Sequence, residues 1–465
     1  MKITILDGQD TIGGNKILVE HKGTRIMLDF GMSFSKAGMY FSEFLNPRKA
    51  VALTDFFELG LLPDMKGIYR EDYLKHMGRP DEKRTLDAVF LSHAHADHAP
   101  YIHFLRKDIP IHCTEATKII LKCLEETGSS SFSDFLTGCE AFVFYTNKDG
   151  GLSRVTSRNK DYVFDRPFKV MEPYSTATIG SLKVQLVPVD HSLPGAAGYI
   201  IYSDEGNLVY TGDIRFHGYN EALSRRFVEL AKEAKPKWLL CEGTRIKEKH
   251  IDSEEQVCKK ISRLMAKSKG LEGLVFVEHP IRDIDRVYSI YKATAENKRE
   301  FVVTLKLAYL IRELGELCPF KLSDVKILVP QKSWGLICKD VDCSLIEGDY
   351  VIWERDFLKL LNSITYKELV KNPLKYTVSM NMWEINQLID IKPKKAIWIK
   401  SSCEPFSDEM EIDEKRKANW LKHFKIKQYH AHASGHAPGP EIKRMIKDIS
   451  AKKVIPIHTE HPEMF

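Results

Sequence analysis

The chain has 465 residues, 43% hydrophobic and 29% charged, with 69 Lys and Arg against 64 Asp and Glu for a formal net charge of +5. That composition excludes a disordered or fibrous chain, and the length suits two to four units of roughly 150 residues, enough to bury cores without disulfide staples. The charge is too mild to announce a nucleic-acid partner, no apolar run reaches the ~18 residues of a membrane span, and the start, MKITILDGQD, lacks a leader's apolar stretch, so a cytoplasmic protein with no membrane partner is expected.

Residues 2–7, 16–20 and 24–29 are short β-rich runs that predict strands. Residues 31–85 are less regular and read as an insertion carrying short helices. Residues 86–92 (LDAVFLS) have strand length and end where LSHAHADHA (91–99) begins. That stretch packs His93, His95, Asp97 and His98 into six positions. Residues 115–127 have helical spacing, and 128–160, rich in Ser, Gly, Asn and Lys, predict a loop. Strands are predicted at 182–189, 197–203, 207–213 and 237–244.

After residue 245 the texture changes. Residues 253–268 form a helix opened by Ser253 and the acids after it. Strand, helix, strand and helix then follow at 273–280, 283–297, 299–305 and 307–314. Alternation of that kind implies a parallel α/β unit, running to about residue 430. The tail, 441–458, reads as helix then strand. The domain bounds are therefore 1–245, 246–430 and 431–465, the last returning to the first domain.

Nine scattered cysteines without a C-x-x-C pair exclude a disulfide framework and suit a reducing compartment, most of them serving as small buried hydrophobes. CKDVDC (338–343) is weak as a metal site. The basic stretches 391–400 and 422–427 read as a solvated face. Arg282 and Arg286, one helical turn apart, suit a substrate cleft or, more simply, exposed ion pairs with Asp283 and Asp285. The tryptophans read as core.

Imidazole and carboxylate together suit zinc or manganese. His93, His95, Asp97 and His98 stand too close in sequence to serve one tetrahedral ion, and dividing them between two ions relieves the crowding. Two ions need further ligands, and His191, Asp213 and His458 each finish a predicted strand. A lone His or Asp is more often a core or surface residue. Three strands that each end in one tip the balance.

HAHADH matches the H-x-H-x-D-H signature of the metallo-β-lactamase superfamily. RIMLDFG, with Asp29, resembles the first motif of that superfamily, and VDHSLPGAAGYII and LVYTGDIRF resemble its third and fourth. Glu242 in LLCEGT, the segment YHAHASGHAPGPEIKRMI (429–446) and His458 in VIPIHTEHPE resemble motifs A, B and C of the β-CASP nucleases, RNase J-like and archaeal cleavage-factor-like proteins among them.

This resemblance implies an α/β fold: a metallo-β-lactamase αβ/βα sandwich with an inserted β-CASP α/β domain. It implies two Zn2+ per chain, with Mn2+ as the alternative. His93, His95 and His191 would hold one ion, and Asp97, His98 and His458 the other, with Asp213 bridging and Asp29 orienting ligands behind them. The implied catalytic residues are Asp97, His436 and Glu242, with His436 protonating the leaving oxygen under support from Glu242. Ser434, Gly435 and His432 would bind phosphate, and His430 would pack. The implied activity is hydrolysis of single-stranded RNA to a 5′-phosphate and a 3′-hydroxyl, with exonuclease and endonuclease modes both open. His458 at motif C favours RNA over DNA. A homodimer is a further implication. A DNA nuclease of this fold is the first alternative. A non-catalytic RNA-binding subunit is disfavoured because every ligand position is filled, and a small-molecule hydrolase because of the inserted unit.

Overall fold

The computed structural model describes residues 1–42, 44–268, 273–338, 340–405 and 407–465. The chain divides into two compact units, one of Met1–Phe216, Asn220–His250 and Gly435–Phe465, the other of His217–Tyr219 and Ile251–Ser434. The sequence-based bounds at 245/246 and 430/431 lie a few residues from these divisions.

The first unit is built on two six-stranded sheets. One runs in the order Lys2–Asp7, Lys16–His21, Thr24–Leu28, Ala88–Phe90, Ile111–Cys113, Phe168–Val170, and the other in the order Thr176–Ile179, Leu182–Pro188, Ala197–Tyr202, Leu208–Tyr210, Trp238–Glu242, Lys453–Ile457. Side chains alternate across a strand, so one set of each strand faces inward. Ile17, Val19, Ile26, Leu28 and Phe90 of the first sheet pack with Val184, Leu186, Tyr199, Ile201, Leu208 and Tyr210 of the second in one core. Burying such side chains is worth about 1.5–3 kcal/mol each. The opposite set of the second sheet, including Val187, Ile200, Val209 and Leu239, meets Phe227 and Ala231 of helix Glu221–Glu233 and Ile442, Met445 and Ile449 of helix Gly439–Ile449.

The second unit is a seven-stranded sheet in the order Ser363–Ile364, Lys326–Leu328, Glu300–Thr304, Tyr376–Ser379, Val275–Glu278, Ile397–Lys400, Lys427–His430, with every neighbouring pair parallel. Its central strands are apolar runs such as VFVE and IWIK, as strands covered on both faces require. Helix Ile284–Glu296 begins at Asp283, whose carboxylate accepts from Arg286 N.

Several elements differ from the sequence-based expectations. Residues 128–160 are more than a loop. Thr137–Cys139 pairs with Val163–Asp165, and Phe144–Thr146 pairs with Leu152–Arg154. The second ribbon closes because Asn147 Oδ1 accepts from the Asp149 and Gly151 amides, a side-chain turn that composition does not show. Strands Ile111–Cys113 and Phe168–Val170 and helix Glu221–Glu233 were not anticipated. Cys338 and Cys343 form a disulfide, and the other cysteines are in the thiol form. Arg286 makes no exposed pair with its neighbouring aspartates, because it is fully buried against Glu254. Lys400, within the expected solvated face, is buried and paired with Glu414. His430 is exposed rather than packed, and of the tryptophans Trp398 is core but Trp334 and Trp383 are exposed. Among the described residues no helix is long and apolar enough to cross a membrane.

Candidate metal centre

Strand direction gathers the site. Leu208–Tyr210, Trp238–Glu242 and Lys453–Ile457 are parallel neighbours, so Asp213, Glu242 and His458 emerge at one end of one sheet. Leu182–Pro188 runs the same way, two antiparallel steps over, and brings His191 there. In the other sheet Thr24–Leu28 and Ala88–Phe90 are parallel, which sets Asp29 beside the His93–His98 loop. The Ala197 amide donates to Ser92 O, and Tyr199 OH to Leu91 O, tying the two strand ends together. The loop is then fixed by its own backbone. Phe30 N donates to His98 O, Met32 N to Ala96 O, and Gly14 N and Asn15 N both donate to Asp97 O. Asp29 and His458 hold left-handed backbone, φ 56° and 50°, a conformation that costs energy in any residue with a Cβ and clusters at functional sites.

Two overlapping ligand groups result. In the first, His93 Nε2 lies 2.8 Å from His95 Nδ1, which lies 3.1 Å from His191 Nε2. Asp213 Oδ2 closes the group, 3.5 Å from His93 Nε2 and 3.8 Å from His191 Nε2. In the second, His458 Nε2 is 3.1 Å from Asp97 Oδ2, and His98 Nε2 is 3.2 Å from Asp213 Oδ2. His98 Nε2 and Asp97 Oδ2 are 3.9 Å apart. A tetrahedral ion with bonds of ~2.0–2.1 Å sets its ligand atoms roughly 3.3–3.4 Å apart, and these spacings bracket that value. Asp213 closes the first group and also reaches toward the second, its Oδ2 to His98 Nε2 and its Oδ1 3.9 Å from His458 Nε2, and with Glu242, His436 and His458 it forms a further cluster of possible ligands.

The histidine tautomers agree with metal binding. Ser92 Oγ has one proton and gives it to Asp29 Oδ2, 2.7 Å away, so it must accept from His93 Nδ1 at 3.0 Å. His98 Nδ1 donates to Asp29 Oδ2 at 2.7 Å, His191 Nδ1 to Gly435 O at 2.6 Å, and His458 Nδ1 to Thr244 Oγ1 at 2.8 Å. With Nδ1 engaged in each case, Nε2 is the nitrogen aimed into the group, a bare lone pair wherever the ring is neutral. Bare lone pairs this close repel unless a cation stands among them. His98 Nε2 and Asp213 Oδ1 are fully buried and make no hydrogen bond. Buried polar atoms without a hydrogen-bond partner, set among imidazoles and carboxylates, fit a metal cofactor and are costly otherwise.

The electrostatics divide the histidines. Burial, reinforced by neighbouring imidazoles, pushes His93 and His191 well below the usual histidine range, so both are neutral and available as ligands. For His98 burial opposes the charge, but Asp213, Asp97 and Asp29 outweigh it and raise its pKa well above normal. Burial works against ionising Asp213, yet His458, His98 and His436 hold it well below the carboxylate range. A buried cluster this rich in carboxylate attracts cations.

Beside the ligands, His436 Nδ1 lies 3.1 Å from Glu242 Oε1. Glu242 is fully buried and also accepts from the Ile214 and Thr244 amides, at 3.1 and 3.0 Å. The first unit thus brings together His93, His95, Asp97, His98, His191, Asp213, His458, Asp29, Glu242, His436 and Gly435. His432 and Ser434 fall in the second unit. Gly435 takes a role the sequence did not suggest, its carbonyl orienting His191. A Cβ there would meet His191 Cε1 and Ser192 Oγ at 3.0 Å.

Sequence reasoning passed over Ser92, Tyr210, Thr244 and the loop glycines. Tyr210 OH donates to Asp29 Oδ2 while accepting from Asn15. A Cβ on Gly13 would meet Asp97 Cβ at 2.6 Å, and one on Gly31 would overlap the Asp97 carbonyl. The available signal was DGQDTIGGN (7–15), a glycine-rich turn directly after a strand. Asp29→Asn removes the acceptor shared by His98, Ser92 and Tyr210. It is expected to weaken metal binding about 10–100-fold without unfolding the protein, as read by competition with a chromogenic chelator.

Residues 10–309 match the family described as metallo-beta-lactamase superfamily, and residues 423–464 match one described as Zn-dependent metallo-hydrolase RNA specificity domain. The chain is 26% identical over 294 residues to Ribonuclease J of Pyrococcus abyssi, covering 61% of this chain and 55% of that protein. It is 23% identical over 473 residues to Ribonuclease J of Mycolicibacterium smegmatis, covering 98% of this chain and 68% of that one. Against Ribonuclease J of Helicobacter pylori it is 23% identical over 476 residues, covering 99% and 56%. The chain thus spans about half to two thirds of the length of these relatives. A solved structure of a protein of unknown function from Enterococcus faecalis V583 superposes with TM-score 0.74 at 23% identity, covering 100% of this chain and 95% of that one, and so shares the fold.

Proposed function

This chain belongs to the metallo-β-lactamase superfamily, and from that premise we propose that it is a zinc-dependent ribonuclease hydrolysing phosphodiester bonds of single-stranded RNA, with residues 246–430 as its β-CASP insertion. The observation that carries the reading is the pair of ligand groups, His93/His95/His191/Asp213 and Asp97/His98/His458, with Asp213 standing between them and a carboxylate-held histidine beside them. The RNA-specificity match over 423–464 and the Ribonuclease J relatives support RNA as substrate.

Two Zn2+ fit the donor set: His93, His95 and His191 for one, Asp97, His98 and His458 for the other, and Asp213 for both. A bound metal pair supplies an activated nucleophile near neutral pH and charge relief on the phosphate. The chain supplies the rest. Asp29, Ser92, Gly435 and Thr244 hold the ligand rings so that each presents Nε2. The Asp97 backbone is pinned through its carbonyl by Gly14 and Asn15, which fixes where its carboxylate starts from. His436 serves as the acid, since its Nδ1–H donates to Glu242 and leaves Nε2–H to protonate the departing 3′ oxygen. Ser434, Gly435 and His432 would contact the phosphate through the backbone N–H groups and short polar side chains of that segment. Homodimerisation and a cytoplasmic location complete the reading, the former measured by sedimentation.

The pH dependence follows from His436. Burial opposes its charge, but Glu242 and Asp213 outweigh burial and raise its pKa. An acid works only while protonated, so kcat falls as pH rises through that pKa. Glu242→Gln removes the nearest negative charge and lowers the pKa. The alkaline fall in kcat is therefore expected to shift to lower pH, and a limb that stays in place would exclude the Glu242–His436 pair as the acid.

The direct test uses one single-stranded oligomer made as RNA and as DNA, labelled at each end in turn. Zinc-loaded protein is expected to cut RNA, to lose activity on chelation and to regain it with Zn2+. Equal cutting of DNA would favour the DNA nuclease reading, and no cleavage of either strand with two metals bound would overturn the nuclease assignment.

A further inference from the structure

The second unit contains a buried ion pair that the proposed reaction does not use. Arg286 and Glu254 are both fully buried. Arg286 Nε and Nη2 grip the two oxygens of Glu254 at 3.1 and 2.8 Å. The other donors of the guanidinium all face one segment and its neighbour. Nη2 donates to Ala433 O at 3.0 Å, and Nη1 to Ser401 O at 2.9 Å, Ser401 Oγ at 3.0 Å and His432 Nδ1 at 2.8 Å. Ser401 Oγ donates in turn to Ala431 O at 2.6 Å, and Ala431 N donates to Lys400 O. Residues 431–433 are thereby held through two carbonyls and one ring. Desolvating an ion pair costs several kcal/mol per ion, so a buried pair of this kind is weak evidence for stability and better evidence for position.

A guanidinium has no acceptor. The contact at His432 therefore fixes the tautomer: Nδ1 must offer its lone pair, and the ring proton must sit on Nε2. A second proton would destroy the contact and set two cations side by side. Burial, and next the charge of Arg286, push the His432 pKa down to about 3, so the ring is neutral at any working pH.

We propose that Arg286, braced by Glu254, is a positioning residue for His432, locking it as a neutral Nε2–H donor to a phosphate oxygen of the RNA substrate. This rests on the ribonuclease reading above. Glu254 sets the guanidinium plane, Arg286 sets the ring, and the ring delivers a donor whose strength does not change with pH.

The test combines kinetics with a spectroscopic readout. Arg286→Lys cannot make the same fork of contacts and is expected to lower kcat/KM on an RNA oligomer about 10–100-fold, mainly through KM, with metal content unchanged. In a His432→Ala background the same change is expected to cost nothing further, because a residue that acts only through His432 has no second effect. His432→Gln, whose amide keeps an acceptor and an N–H donor, is expected to recover part of what His432→Ala loses. Nitrogen-15 NMR of histidine-labelled protein, with the His432 signals assigned by the Gln variant, is expected to show the Nε2–H tautomer persisting to about pH 4. An equal cost of Arg286→Lys in both backgrounds would make the pair merely structural and overturn the proposal, as would an Nδ1–H tautomer at His432. The tautomer is measured on the unaltered protein. It therefore decides the matter even where the lysine variant fails to fold, and where RNA is not cleaved and the ribonuclease reading itself has failed.

Discussion

Asp213→Asn is expected to strip both metal positions and to take RNA cleavage down by about 10³-fold or more, the cost of losing several kcal/mol of charge stabilisation. Asp213 Oδ2 lies 3.2, 3.5 and 3.8 Å from the ring nitrogens of His98, His93 and His191, and Oδ1 lies 3.9 Å from His458. It closes the first ligand group and is the carboxylate that also reaches His98 and His458 of the second. An amide keeps the shape but removes the negative charge, and it offers N–H donors where lone pairs are required. Cations can no longer be held against the buried histidines at the same separation. Metal analysis of the purified variant should give well under one ion per chain, while circular dichroism stays native. Retention of two ions would contradict the shared role of Asp213.

His436→Ala is expected to separate chemistry from metal binding. The ring touches Glu242 and is partly exposed, whereas His93, His98, His191 and His458 are buried. Its removal is expected to cost about 10²–10⁴ in kcat on RNA, the usual worth of a positioned general acid, with metal content and KM close to normal. The sharper measurement uses a diester with a nitrophenolate leaving group, which departs without a proton. The variant should cleave that substrate at nearly the unaltered rate. An equal loss on both substrates would show that His436 does something other than protonate the leaving oxygen.

Asp213 and His458 were singled out because each finishes an apolar strand-length run, and the HAHADH segment announced itself by density. The structure then places Asp213 and His458 at the ends of two strands that both flank Trp238–Glu242 in parallel. Arg286 went the other way. From IRDIDR it read as cleft or surface, because local sequence shows Asp283 and Asp285 beside it and cannot show Glu254 a helix away. Lys400 failed for the same reason. A lysine-rich stretch looks solvated until a buried strand and Glu414 are set against it.

The density of His and Asp in HAHADH and the places of His191, Asp213 and His458 at strand ends were legible in the sequence by itself, since local spacing and strand periodicity encode these directly. Only the tertiary structure decided which nitrogen of each histidine faces the site. That choice depends on Ser92 meeting Asp29, Thr244 meeting His458 and Gly435 meeting His191, contacts between residues 63, 214 and 244 positions apart. A tautomer is set by what stands behind the ring, and nothing in local composition records a neighbour that only folding delivers.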